Sequence, residues 1–281
     1  MIRLGGPIYI ANPDPDQWIN ALKQEGYTAA VCPVDSDADT SLIDAFRAAA
    51  EQNDILIAEV GAWSNPISPD DAERLQALDK CKRQLYLADR IGARCCVNIA
   101  GSRNRDQWDG PHPDNYSEDT FALVVDTVRN IIDEVKPENA CFALEAMPWM
   151  IPDSADSYLE LVRAIDRKKF AVHFDPVNII NHPRQYYRNG AMIRDFIAKL
   201  GSAIVTCHAK DIRLNTKLTV HLEEVVPGNG ELAYGVLLRE LHNLGREIPL
   251  ILEHLSSEEE YRTAAKYIRS VAAREQIELR A

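Results

Sequence analysis

Short runs of apolar and β-branched residues alternate along this chain with longer segments whose apolar residues recur every three or four positions. A short, continuous apolar run is the pattern of a strand buried on both faces, and the longer period is that of an amphipathic helix. Eight runs predict strands: Ile2 to Gly6, Ala29 to Pro33, Leu56 to Gly61, Cys95 to Ala100, Cys141 to Ala146, Ala171 to Asp175, Ile204 to Ala209 and Leu250 to His254. Helices are expected between them, most clearly over Ser68 to Ile91. There Ser68 is placed to cap, Pro69 suits the first turn, Asp70 and Asp71 favour the positive helix end, and Leu75, Leu78, Cys81 and Leu85 form one apolar face. Similar stripes run through Leu42 to Ala50, Phe121 to Val135, Leu159 to Ile165, Ile193 to Leu200 and Leu237 to Leu244.

Eight β-then-α units without a break in composition predict one domain over residues 1–281, an α/β (β/α)8 TIM barrel with eight parallel strands inside a ring of helices. An open doubly wound sheet would more often show a Gly-rich first turn, and Gly5-Gly6-Pro7 opens no G-x-G-x-x-G pattern. Three long polar loops, Gly101 to Tyr116, Pro176 to Tyr187 and Asp211 to Gly230, all follow strands. They belong at the C-terminal mouth, where barrel active sites are built. Alternation over Leu218 to Val226 points to a small hairpin in the third.

A hydrophobic fraction of 46% over 281 residues is enough to bury a large core without disulfides. The 31 Lys and Arg against 43 Asp and Glu give a net charge of −12, which would repel a phosphate backbone, so no nucleic-acid partner is expected. Six cysteines lie mostly in apolar runs with no C-x-x-C pair and read as reduced and buried. The start lacks a basic segment followed by an apolar one, and no apolar stretch is long enough to span a bilayer; a cytoplasmic protein without a membrane partner is expected.

Four consecutive strands end in a group able to bind a metal: Glu145, Asp175, His208 and Glu253. Side chains alternate across a strand, so Cys141, Ala143 and Glu145 share one face, as do Ile204, Thr206 and His208, and Ile251 and Glu253. Each ligand candidate would then top a stripe pointing into the barrel, with Phe142, Leu144, Val205, Cys207 and Leu252 facing the helices. Three carboxylates gathered at one mouth repel one another, and a cation resolves this. With one imidazole they form a mostly hard oxygen site suited to one Mn2+ or Mg2+, with Co2+ and Zn2+ also open.

The segments Leu144-Glu-Ala146, His173-Phe-Asp-Pro-Val-Asn178, His208-Ala-Lys-Asp-Ile212, Pro227-Gly-Asn-Gly230 and Leu252-Glu253 resemble the xylose-isomerase-like superfamily of sugar isomerases and epimerases. The likeness extends over the whole chain, takes in Ala58 to Trp63, and includes features of ketose 3-epimerases and inosose dehydratases. Members of that family bind one metal through a glutamate, an aspartate, a histidine and a glutamate, and use the two glutamates as acid and base. The resemblance thus implies Glu145 and Glu253 as catalytic residues and Asp175 and His208 as metal ligands. Asn178 stands where ketose 3-epimerases often have a histidine, so the sugar is not identified.

These residues lead to a divalent-metal-dependent epimerase or isomerase of a small keto sugar or related polyol, working by proton abstraction through a metal-stabilised enediolate. Trp63, Asn178, Lys210 and Arg213 are the expected substrate contacts, Trp63 because it shares the parity of Glu59 and Lys210 because it shares that of His208. Trp108, Trp149 and His112 lie in mouth loops. His173 reads as a core histidine bonded to Glu59, His254 as outward-facing, and His182 and His221 as surface residues. A lyase, either an inosose-type dehydratase or a keto-glycoside-cleaving enzyme, is the alternative on the same scaffold. An abasic-site endonuclease would need more histidines and a basic groove, and a non-catalytic sugar-binding barrel would not need both glutamates. Assembly into a homo-oligomer is left open by the sequence.

Overall fold

The computed structural model describes residues 1–280. Its elements run β1 (Ile2–Gly5), α1 (Pro15–Glu25), β2 (Ala29–Val31), α2 (Thr40–Gln52), β3 (Leu56–Gly61), α3 (Asp71–Ile91), β4 (Cys95–Ile99), α4 (Glu118–Val135), β5 (Cys141–Glu145), α5 (Ala155–Ile165) and β6 (Phe170–Phe174). After two short helices, α6 (Pro176–Ile179) and α7 (Pro183–Tyr186), come α8 (Asn189–Leu200), β7 (Ile204–Ala209), a hairpin of β8 (Asp211–Asn215) and β9 (His221–Val225), α9 (Tyr234–Asn243), β10 (Ile248–Leu252) and α10 (Glu258–Arg274). Strands β1, β10, β7, β6, β5, β4, β3 and β2 close in that order into an all-parallel barrel, a TIM barrel. These are the eight predicted strands, and the hairpin lies in the third predicted mouth loop.

The outward side chains of the strands, among them Phe142, Leu144, Phe174 and Leu252, pack with helix residues such as Leu85, Tyr158, Phe196 and Leu237 into one large core. The barrel interior is filled separately. One cluster joins Cys95, Val97, Ala143 and Ala171 with Cys141 and Val205, and another joins Ala29, Ala58 and Ile251 with Val31 and Leu56. Small side chains dominate there because the narrow cylinder has no room for larger ones.

Two irregularities change the expected facing. Ala30 pairs with Ile57 but Val31 with Glu59, so Ala58 is an extra residue in β3; Val172 pairs with Ile204 but His173 with Thr206, so Val205 is extra in β7. Strict alternation puts Ile204 inside and Val205 outside. Instead Ile204 joins the outer core and Val205 the inner cluster, because a bulge admits one residue without a partner and shifts the phase of the strand before it.

Helix α3 also differs from its pattern. Asp70, not Ser68, is its N-cap, accepting from the Glu73 amide at 2.9 Å. Ser68 Oγ serves the turn before it, accepting from Asp70 N at 3.1 Å and donating to the Glu73 carboxylate at 2.6 Å. Leu75 is 63% exposed, and Ala77, Leu85, Ala88 and Ile91 carry the packing in its place. No helix among the described residues is long and apolar enough to cross a membrane.

Candidate metal centre and active site

The C-terminal ends of β5, β6, β7 and β10 bring Glu145, Asp175, His208 and Glu253 together, with one ligand atom of each within 4.8 Å of all the others. Glu145 and His208 end or nearly end their strands, whereas Asp175 and Glu253 stand one residue beyond β6 and β10. Asp175 is thereby the N-cap of α6: its Oδ1 accepts from the amides of Val177 at 2.8 Å and Asn178 at 3.2 Å, which fixes the carboxylate and leaves Oδ2 turned to the mouth. His208 is fully buried, with Nδ1 3.0 Å from Glu145 Oε1 and 2.6 Å from Glu253 Oε1.

Below this group lies Glu59. Its Oε1 is 3.1 Å from His208 Nε2, its Oε2 is 3.2 Å from His173 Nε2, and Thr206 Oγ1 donates to Oε2 at 3.4 Å. Glu59 thus bonds the nitrogen of His208 that faces away from the mouth and fixes the ring's orientation. His173 does bond Glu59, and its other partner in the arrangement is the His208 ring, edge-on with centroids 3.9 Å apart. The double duty of Glu59 needs the β3 bulge, which places Ala58 and Glu59 both inside, and alternation alone does not show it. Glu59→Gln is expected to weaken Mn2+ binding roughly 10- to 100-fold, the usual cost of losing such an outer partner. Calorimetric titration with Mn2+ reads this directly, and an unchanged affinity would deny Glu59 that orienting role.

Lys210 is buried to 3% exposure and stands among the acids, with Nζ 2.8 Å from Asp175 Oδ2, 2.6 Å from Glu253 Oε1, 3.4 Å from Glu224 Oε1 and 3.9 Å from Glu145 Oε1. The environments push the carboxyls apart. Burial raises Glu145 above its ordinary value against the pull of His208 and Lys210. Burial acts the same way on Glu253, yet the neighbouring His208, Lys210 and His254 hold it well below the carboxylate range. Glu59 is likewise lowered to about 2, burial being outweighed by His208 and His173. Burial disfavours a charged His208, but Glu253, Glu59 and Glu145 raise its pKa well above that of a free imidazole.

A divalent cation fits these residues. Asp175 Oδ2 and Glu253 Oε1 are buried and make no hydrogen bond of good geometry, although Lys210 Nζ is close to both and His208 Nδ1 is 2.6 Å from Glu253 Oε1. Buried carboxylate oxygens require positive charge beside them, which Lys210 and His208 supply here and a bound cation would supply in their place; three carboxylates with one imidazole are a donor set for Mg2+ or Mn2+. A ligating imidazole is neutral, so a cation here would replace the proton on His208.

The other expected contacts divide. Asn178 reaches the centre, its Nδ2 donating to Glu145 Oε1 at 3.3 Å and its Oδ1 3.5 Å from Lys210 Nζ. Trp63 lines the same cavity, 37% exposed, and its indole crosses the end of β3 so closely that a Cβ on Gly61 would lie 2.4 Å from Nε1. Arg213 does not enter that cavity. It projects from β8, half exposed, with Nη2 2.6 Å from Glu223 Oε1, and borders a smaller cavity behind Glu253. The reason is the hairpin register, which pairs Arg213 with Glu223 across the two strands.

Trp108 and Trp149 also line the large cavity, whereas His112 turns aside and its Nδ1 accepts from the Asp114 amide. His254 corrects the outward expectation: it has a left-handed backbone, φ 56°, lies along the cavity wall, and places Nδ1 3.0 Å from Glu224 Oε2. Asp211 is a further residue that strand-end reasoning passes over. Its carboxylate accepts from the amides of Ile212, Gly228, Gly230 and Leu232 at 2.8 to 3.1 Å and so pins the Pro227-Gly-Asn-Gly turn beside β8. A Cβ on Gly230 would lie 2.3 Å from that carboxylate and 2.4 Å from Ile212 O, so the approach needs glycine. An aspartate after the His-x-Lys segment, followed by two glycines spaced two apart, was the available signal.

The cavity over the centre measures about 990 Å3. No curated protein matches the sequence. Several solved structures share the fold at low identity. A D-psicose 3-epimerase from Clostridium cellulolyticum H10, determined with D-tagatose, superposes with a TM-score of 0.70 at 14% identity over 98% of this chain and 99% of its own. A probable 3-DHS dehydratase involved in petrobactin synthesis, from Bacillus anthracis, gives 0.68 at 14% identity over 97% and 99%. A xylose isomerase-like TIM barrel protein from Mycobacterium smegmatis, in complex with magnesium, gives 0.67 at 14% identity over 94% and 90%. The sequence itself matches the family described as xylose isomerase-like TIM barrel over residues 19–271, and the chain belongs to that family.

Proposed function

We propose that this protein is a divalent-metal-dependent epimerase or isomerase of a keto sugar or related polyol. The observation that carries the reading is the convergence of Glu145 and Glu253, from strands separated by β6 and β7, on one buried imidazole at the floor of an open cavity. Fold neighbours that include an epimerase and a probable dehydratase support the same class of chemistry. Glu145, Asp175, His208 and Glu253 would hold the cation, which would supply positive charge to a carbonyl oxygen as it becomes negative.

One of the two glutamates takes the proton from the carbon beside the carbonyl. The electron pair of that C–H bond forms the carbon–carbon double bond of an enediolate, and the carbonyl pair moves to oxygen. The other glutamate then delivers a proton to the opposite face of the same carbon, which inverts it, or to the neighbouring carbon while the hydroxyl proton passes from the first carbon's oxygen to the former carbonyl oxygen, which moves the carbonyl. Asn178, bonded to Glu145, and Lys210, beside Glu253, are placed to hold substrate hydroxyls, and Trp63 offers an apolar wall to a sugar face.

Proton NMR in heavy water on a panel of ketoses and inososes, with Mn2+ present, tests the reading. Exchange of the hydrogen beside the carbonyl is expected with Mn2+ and is expected to stop on chelation. Net loss of water would move the assignment to a dehydratase. Absence of exchange and of turnover across the panel, or metal analysis finding no bound ion in purified protein, would overturn it.

A further inference from the structure

Alternation along an extended strand sends consecutive residues to opposite faces, so the residue after Glu253 belongs on the helix side. Here both Glu253 and His254 line the mouth. His254 has φ 56° in place of an extended backbone, a left-handed conformation that few residues other than glycine adopt and that persists where the surroundings hold it. The turn brings its ring onto the wall of the large cavity, with the smaller cavity on its other side.

What holds the ring is the hairpin. Glu224 sits near the foot of β9, where Ile212 is its partner across the two strands and Asp211 pins the turn that follows. Its Oε2 is 3.0 Å from His254 Nδ1 and its Oε1 is 3.4 Å from Lys210 Nζ. Lys210 Nζ is in turn 2.6 Å from Glu253 Oε1, and His254 Nε2 is 3.7 Å from Glu253 Oε2. Lysine and histidine thus each span the same two carboxylates, one from the hairpin and one from the end of β10. The last of these four distances is too long for a hydrogen bond, so His254 Nε2 has no such partner among the described residues, while the side chain is 59% exposed. An imidazole tied through Nδ1 to a carboxylate is fixed in orientation and presents its other nitrogen. A sugar hydroxyl both donates and accepts, and so can meet that nitrogen whichever way it is used.

We propose that His254 is a substrate-binding residue and Glu224 the positioning residue that aims it, with His254 Nε2 taking one hydroxyl of the substrate on the Glu253 side of the cavity. The contact rests on the polyol chemistry proposed above and adds a means of selecting among polyols by the place of that hydroxyl. The hairpin thereby shapes recognition from outside the barrel, through a carboxylate that itself stands on no barrel strand.

NMR of the 15N-histidine-labelled, Mg2+-loaded protein, titrated with D-fructose, D-tagatose and scyllo-inosose, tests it. His254→Gly, which accepts the left-handed backbone without strain, identifies the signals. At least one compound should shift the Nε2 resonance of His254. His254→Gly should weaken binding of that compound about 3- to 10-fold, the worth of one hydrogen bond, and raise KM for solvent exchange with little change in kcat. One monodeoxy derivative of the same compound, lacking the contacted hydroxyl, should bind wild type and His254→Gly alike. Glu224→Leu should move the Nδ1 resonance and weaken binding as His254→Gly does, and Glu224→Gln, whose amide oxygen still accepts from Nδ1, should recover part of both. A His254 signal that no compound moves, monodeoxy derivatives that all keep the full effect of His254→Gly, or an unchanged Nδ1 signal in Glu224→Leu would overturn the proposal. Solvent exchange of the hydrogen beside the carbonyl reads the underlying chemistry separately. Exchange without a shift at His254 removes this contact and leaves the reaction standing, a shift without exchange keeps the contact and counts against the reaction, and neither from any compound removes both.

Discussion

Glu145→Gln and Glu253→Gln are each expected to slow solvent exchange of the substrate hydrogen by roughly 10²- to 10⁴-fold, the usual contribution of a positioned proton carrier. The amide keeps the size of each side chain and an oxygen that can still face the cation, so metal content should persist while proton transfer fails. That separation matters because both residues are also among the four convergent ligand candidates. Deuterium incorporation by NMR, measured beside metal content by mass spectrometry, distinguishes the two roles. Normal exchange in either variant would end its assignment as acid or base, and loss of the metal in both would make them ligands first.

Replacing the buried ammonium should have the largest effect on stability. In Lys210→Met the apolar stem is retained, but the carboxylates of Asp175 and Glu253 lose the cation now 2.8 and 2.6 Å away. Removing one member of a buried charged group costs on the order of 3–5 kcal/mol, because the remaining charges stay buried without compensation. Thermal and denaturant unfolding in chelator should therefore show a marked loss. Added Mn2+ should restore most of it, since a ligand at a thousandfold excess over its Kd stabilises by about 4 kcal/mol. Wild-type stability of the metal-free variant would contradict the charge balance described for this mouth, and a loss that Mn2+ leaves untouched would contradict the shared use of these carboxylates by lysine and cation.

The barrel was legible because each of its staves is a continuous apolar run, a pattern that survives errors of one or two residues at the ends. Helices α1 and α10 carried no comparable signal. The buried face of α10 is largely Ala264, Ala265 and Ala272 with Tyr261, Ile268 and Val271, and that of α1 is only Trp18, Ile19 and Leu22. The four groups of the candidate metal centre were legible for a different reason: a strand end in a barrel has one address, the mouth, whatever the loops do. What lay beyond reach depended on contacts between distant segments. Glu59 meets His208 across 149 residues of sequence, and Arg213 is withdrawn from the cavity by a hairpin partner ten residues away. The tie between Trp149 and Asp109 is likewise a matter of how two loops lean together, which no local pattern records.

The extra residue in β7 separates two demands on one strand. Below Val205, Ile204 answers to the helices; above it, Thr206 and His208 answer to the mouth. A stave with such a joint can change its lower, packing half by one step without rotating its upper, chemical half. Sequence drift in the outer shell of this molecule is thus insulated from the imidazole, and insertions or deletions next to position 205 belong among the mildest that strand can absorb.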